Sequence, residues 1–238
     1  MSEPALLFRD VTVRYEPGAQ PVIAGVSFSV AAGERVALVG LNGSGKTTLL
    51  LAAVGLVAHE GEICVAGIPV SRRTVAQVRE RIGFLFNVPE DQLLFPKVIE
   101  DAAFGLLRRG MAAREAIEKA RQMLDVLGVA SLAETPLHHL SHGQKQRVAL
   151  AGAIATAPPL LLLDEPSAGL DPPGKRALAR LLSGLGGAML VATHDLDFAA
   201  RLCTRFVMLA DGTIALNGTD LSQVLDLWHI NEPPVAAP

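Results

Sequence analysis

The chain has 238 residues, half of them apolar and 4% aromatic. That length and composition suit one large α/β domain with an aliphatic core, or two small ones, and exclude wholesale disorder. A formal charge of −3 argues against nucleic acid as the main partner.

Cys64 and Cys203 are far apart and lack C-x-x-C spacing, so neither a zinc site nor a disulfide framework is indicated. Both read as small buried residues in a reducing cytosol. Met1-Ser2-Glu3-Pro4 shows no basic n-region, so no secretory leader is expected. The nearest approach to a membrane span, Val148 to Leu163, is broken by Pro158-Pro159 and too short. Any work at a membrane would need spanning helices from another chain.

Taken in order, Leu6 to Tyr15 and Val22 to Val30 alternate apolar and polar as half-buried strands do, with Glu16-Pro17-Gly18 as turn chemistry between them. Val36 to Val39 is a buried strand, and Thr48 to Val54 a helix. A short strand is expected around Ile63-Cys64-Val65, a basic helical link over Thr74 to Arg81, and a buried strand over Ile82 to Phe86. The middle third turns helical. Apolar residues recur at helical spacing from Val98 to Leu107 and from Ala112 to Leu127. The second stretch carries an Ala116, Ile117, Ala120, Met123, Leu124, Leu127 stripe, a Glu115–Lys119 pair and Gly128 at its C′ position. A further helix runs from Gly143 to Ala155. Leu160 to Leu163 reads as a parallel strand covered on both faces. Helix over Pro173 to Leu185, strand over Ala188 to Ala192 and helix over Leu196 to Leu202 follow. Phe206 to Leu209 and Thr213 to Leu216 form a hairpin over Asp211-Gly212, Asp220 to Trp228 closes as a helix, and the tail over 231–238 is expected to be loose.

The chemistry begins at Gly40-Leu41-Asn42-Gly43-Ser44-Gly45-Lys46-Thr47-Thr48, a G-x-x-x-x-G-K-[ST] pattern between a strand and a helix. The glycines let backbone N–H groups converge on one point, a phosphate nest at a helix N-terminus. Lys46 adds a positive charge for the β- and γ-phosphates, and the Thr47 hydroxyl suits Mg2+. Asn42, Gly43, Ser44, Gly45 and Thr48 complete the cradle. Asp164 and Glu165 end the buried strand Leu160 to Leu163, at the sheet edge where ligands bind in open α/β folds. Asp164 can hold Mg2+, while Glu165 can orient or activate a water in line with the γ-phosphate.

Leu140-Ser141-His142-Gly143-Gln144, continued by Lys145-Gln146-Arg147, resembles the signature motif of ABC ATPases. Between a Walker A and a Walker B motif the resemblance covers nearly the whole chain. It implies a P-loop NTPase of ABC ATPase type: a RecA-like α/β core, an N-terminal antiparallel β-subdomain and an α-helical subdomain at about 88–155, within one domain spanning 1–230. It also implies that Ser141, Gly143 and Gln144 bind the nucleotide of a second subunit. Tyr15 falls where the family stacks an aromatic on adenine, Asp171 in the loop that contacts the partner, and His194 at the switch histidine of the γ-phosphate. Catalysis would then rest on Glu165, His194 and Lys46, with Mg2+ held by Thr47, Asp164 and Asn87. Two positions depart from the family. Asn87 stands where Gln is usual, on a stem about 1.5 Å shorter, which predicts weaker or water-mediated metal contact. His142 replaces the commoner Gly of the signature.

Pro89 to Phe95 and Val98 to Gly105 are similar to the energy-coupling-factor transporter ATPases, which serve cobalt, nickel or vitamin importers. Phe86, Leu93, Leu94 and Phe95 suit either the short helix of a membrane partner or the packing of the helical insert on the core, and the compact C-terminus leans toward nickel or cobalt by analogy. The resemblance implies a peripheral subunit at the cytoplasmic face of the membrane. Two such subunits, identical or different, would sandwich ATP head to tail and drive integral-membrane partners, with no nucleic acid involved. The rival is a soluble ABC ATPase of repair, ribosome work or cluster assembly. No long coiled coil separates Walker A from the signature, and there is one cassette, which argues against it.

Overall fold

The computed structural model describes residues 3–231; of the tail expected to be loose over 231–238, Asn231 ends a helix and the remainder lies outside the described residues. Two sheets organise them. The first is antiparallel, in the order β2 (Ile23–Val30), β1 (Leu6–Val13), β4 (Glu60–Val65), β5 (Ile68–Pro69). β1 buries Leu6 and Phe8, then Val11 and Val13. A bulge at Asp10, whose φ is 51°, restores the inward phase after that three-residue step. The strand stops at Val13, two residues short of its expected end, so Tyr15 lies beyond it.

The second sheet has the order β10 (Thr213–Gly218), β9 (Arg205–Ala210), β3 (Arg35–Val39), β8 (Ala188–Thr193), β7 (Leu160–Asp164), β6 (Ile82–Leu85). All neighbours are parallel except the β9–β10 hairpin, whose turn residues Asp211 and Gly212 both have positive φ, as a tight hairpin of this twist requires. The period-two alternation divides each central strand between two cores. Val36, Leu38, Leu160, Leu162 and Leu190 pack toward α1 (Lys46–Ala53) and the antiparallel sheet. Ala37, Val39, Leu161, Leu163 and Val191 pack on the opposite face, toward the remaining long helices. Burial on both faces is why these strands are wholly apolar.

After α2 (Val75–Glu80) come α3 (Val98–Arg108), α4 (Ala113–Val126) and α5 (His142–Ala155), which pack on one another through Ala102, Leu106, Ala116, Ala120, Leu124 and Val148. Gly128 ends α4 in the left-handed region at φ 70°, with its own N–H on Asp125 O and the Val129 N–H on Leu124 O, both 2.9 Å. Glu115 and Lys119 form no ion pair among those of the described residues. An exposed i,i+4 pair is worth a few tenths of a kcal/mol, too little to hold two long side chains. α6 (Pro172–Ser183), α7 (Leu196–Leu202) and α8 (Leu221–Asn231) complete the chain. No described helix is long and apolar enough to cross a membrane.

Both cysteines are free. Cys203 is buried as expected, and burial pushes its thiol up to about 12; Cys64 is only half-buried. The strand order brings the C-terminal ends of β3, β7 and β8 to one edge, with Val39 beside Thr193 and Asp164 beside Ala192.

Candidate functional site

Local sterics build the loop after β3. A Cβ on Gly40 would strike the Leu209 carbonyl, and one on Gly45, at φ 101°, would lie 2.5 Å from Ile23 Cδ1. The backbone therefore approaches its neighbours more closely than any side chain allows, and α1 begins at Lys46, two residues before its expected start. Lys46 is buried, and burial lowers its pKa against the pull of Glu165 and Asp164. Its Nζ donates to the carbonyls of Gly40 (2.7 Å) and Leu41 (3.1 Å).

Thr47 Oγ1 donates to Asp164 Oδ2 at 2.7 Å, joining the loop to the end of β7. The other oxygen, Asp164 Oδ1, is buried with no hydrogen-bond partner. Burial raises the Asp164 pKa to about 6, partly offset by the Thr47 bond and by Lys46, while the charge of Glu165 pushes it further up. An orphaned carboxylate oxygen beside a hydroxyl is a donor set for a hard, oxygen-seeking cation. No cluster of three or more His, Cys, Asp or Glu suited to a metal occurs among the described residues. Such a cation would therefore complete its shell with phosphate oxygens and water, as Mg2+ does.

Glu165 adopts φ 49°, a left-handed conformation that costs a non-glycine residue about 1–2 kcal/mol. Its N–H donates to Ala192 O at 2.8 Å. Oε2 accepts from Thr193 Oγ1 at 2.9 Å; Oε1 accepts the His194 N–H at 3.1 Å and lies 2.8 Å from His194 Nδ1. β7 and β8, paired side by side, thus lock acid and imidazole together. Asp195 caps α7 through Phe198 N and takes Lys175 Nζ at 2.6 Å and Ser167 Oγ at 3.2 Å. Burial would raise its pKa, but those bonds, Lys175 foremost, bring it below the ordinary value.

A cavity of about 470 Å3 lies over these groups, lined by Asn42, Gly43, Gly45, Lys46, Thr47, Thr48, Asn87, Glu165 and His194, together with Val22 and Ala168. Ser44 and Asp164 sit buried beneath the lining. Tyr15 stands at the side, exposed, its hydroxyl 3.0 Å from Thr48 Oγ1. Ser141, Gly143 and Gln144 do not line this cavity. They open α5 as a capping box: Ser141 Oγ accepts Gln144 N–H at 3.4 Å, and Gln144 Oε1 accepts Ser141 N–H at 2.8 Å. Asp171 caps α6 through Gly174 N at 2.9 Å. His142 Nδ1 lies 4.0 Å from Glu90, which is also bonded to Lys145 at 2.8 Å.

Sequence reasoning missed two amides. Gln92 accepts the Phe86 N–H at 3.2 Å and donates to Ala149 O at 3.0 Å, tying the segment before Asn87 to α5. Gln146 donates to Glu165 O at 3.0 Å. Both lie in family-like stretches, but their partners were not readable there, because both bonds depend on how α5 packs.

A larger groove, about 760 Å3, runs between α3, α5 and β6. Its walls carry the ring pairs Phe84–Phe86 (4.4 Å) and Phe95–Phe104 (5.0 Å), and Leu94 projects from it with 73% exposure. Asp101 lies in it, its Oδ1 accepting the N–H groups of Leu94 (2.8 Å) and Phe95 (3.2 Å).

The ABC transporter family profile matches residues 23–168. The chain is 36% identical over 236 residues to the energy-coupling factor transporter ATP-binding protein EcfA of Methanocaldococcus jannaschii, covering 97% of this chain and 84% of that protein. Among solved structures it resembles cbiO1 of Clostridium perfringens, part of the ABC transporter complex cbiONQ. There the TM-score is 0.81 at 31% identity, over 94% of this chain and 92% of that one. It also resembles a dimeric post-hydrolysis state of the ATP-binding cassette MJ0796 bound to ADP and Pi. That TM-score is 0.83 at 28% identity, over 90% of this chain and 98% of the other. By its family match and these likenesses, the chain belongs to the ABC transporter family, as an ATP-hydrolysing, ATP-binding subunit of a transporter.

Proposed function

We propose that this chain powers an importer of the energy-coupling-factor kind, carrying nickel, cobalt or a vitamin such as biotin, by head-to-tail closure of an ATPase dimer at the cytoplasmic face of the membrane. The observation that carries the reading is the convergence of Lys46, Thr47, Glu165 and His194 on one cavity. ATP seats its phosphates on the loop from Gly40 to Thr48, with Lys46 released from the loop carbonyls to the β- and γ-phosphates and Tyr15 against the base. Thr47 and Asp164, with Asn87 from across the cavity, would hold Mg2+, which supplies charge neutralisation of the phosphate oxygens. Glu165 accepts a proton from the attacking water, and His194, anchored on Glu165, faces the γ-phosphate.

Ser141, Gly143 and Gln144 lie apart from this cavity. A second copy, or a different ATPase subunit, would present that helix start to complete it. The dimeric cassette among the neighbours supports this arrangement. The aromatic groove supports a membrane partner, because half-buried rings with Phe104 and Leu94 exposed beside them offer an apolar surface to the face of a short helix. Likeness to EcfA and cbiO1 supports the importer branch.

The test is co-purification from membranes, followed by uptake of nickel, cobalt and biotin by the recovered complex. ATP-dependent uptake of one of them supports the proposal. A chain that hydrolyses ATP but recovers no integral-membrane protein contradicts it and favours a soluble role.

A further inference from the structure

Gln146 is 3% exposed, in the second turn of α5. Its Nε2 donates to the Glu165 carbonyl, while its Oε1 is fully buried without a partner. That carbonyl does not need the amide, since it already accepts the Ala168 N–H at 3.0 Å. A buried amide with half its bonding capacity unmet lowers stability, so its presence calls for another reason. Glu165 supplies one. Its left-handed backbone is strained, and the direction of its carboxylate depends on how that peptide is held. β8 grips it through Ala192, Thr193 and His194; Gln146 grips it from the other side, on a helix from a different part of the fold.

We propose that Gln146 is a positioning residue for hydrolysis. It ties the Glu165 peptide to α5, so the helix that offers Ser141 to the partner's nucleotide also orients the carboxylate over its own. The inference rests on the proposed roles of Glu165 and of the head-to-tail dimer. It makes each subunit's signature helix a mechanical link between two nucleotide sites.

The test is Gln146→Met, which keeps length and volume while removing both donor and orphaned acceptor. We expect Tm unchanged or raised, ATP affinity within twofold of wild type by titration with a fluorescent ATP analogue, and kcat lowered at least tenfold. In a Glu165→Gln background, the same change should alter the residual single-turnover rate by less than twofold. An unchanged kcat in Gln146→Met overturns the inference. A variant that fails to fold or loses several degrees in Tm overturns it equally, because the amide would then be holding the fold. Glu165→Gln alone separates the two readings: if it still turns over at the wild-type rate, the assignment of Glu165 fails. If it is inactive while Gln146→Met is normal, only the positioning role fails.

Discussion

His194 Nδ1 lies 2.8 Å from Glu165 Oε1, and the same oxygen accepts the His194 backbone N–H at 3.1 Å. The carboxylate accepts only, so the ring proton sits on Nδ1 whenever Glu165 is ionised. Acid and imidazole are therefore held as one unit before any nucleotide arrives. Glu165→Gln should lower kcat by about 10²–10⁴-fold with ATP affinity retained, and should trap an ATP-bound dimer that elutes early in size-exclusion chromatography. His194→Ala should slow turnover by a comparable factor. A Glu165→Gln chain that remains monomeric with ATP contradicts the closure scheme.

Asp164 gives a pH-dependent prediction. Its folded pKa, about 6, lies above the ordinary 3.8, so the native state binds this proton more tightly than the unfolded chain does. Stability from this group is thus fully present below pH 3.8 and lost as pH rises toward 6. Above that window the buried charge costs about 3 kcal/mol. Asp164→Asn, which can still accept from Thr47, should therefore raise the Tm of nucleotide-free protein by several degrees at pH 8, the gain fading below about pH 4. The same variant should lose most of the Mg2+-dependent thermal shift given by ATP. A Tm difference that grows toward low pH would contradict the sign.

Asn87 lines the cavity on a stem one methylene shorter than Gln. Asn87→Gln should raise the ATPase rate severalfold and lower the Mg2+ concentration needed for half-maximal activity, both read by phosphate release. Untouched rate and Mg2+ dependence would remove Asn87 from the metal's surroundings.

Phe104 contributes one ring of the groove and is 41% exposed. Phe104→Asp puts a charge where an apolar helix face would dock. It should abolish co-purification with membrane subunits while leaving the ATPase rate of the isolated chain within twofold. Retained co-purification would move the docking surface elsewhere.

Features that depend on neighbours along the chain were legible before any fold was known. Gly40 to Thr48 announced a tight glycine-rich turn between strand and helix, because the strand, the glycines and the helix start are contiguous. The apolar run Leu160 to Leu163 announced a strand buried on both faces, and Ser141 with Gln144 a helix cap, each within a few residues. Contacts that cross between elements emerged only with packing. Asp164 meets Thr47 and Glu165 meets His194 because β3, β8 and β7 are adjacent, an order that no local pattern encodes. The sequence carries the first strand on to Tyr15 because Val11, Val13 and Tyr15 keep a two-residue alternation, whereas β1 and its pairing with β2 end at Val13. Gln92 and Gln146 fell within family-like stretches, but nothing in the sequence gave their amides a partner. Their bonds form only once α5 is seated against the sheet, and backbone carbonyls are the same at every position until packing chooses one.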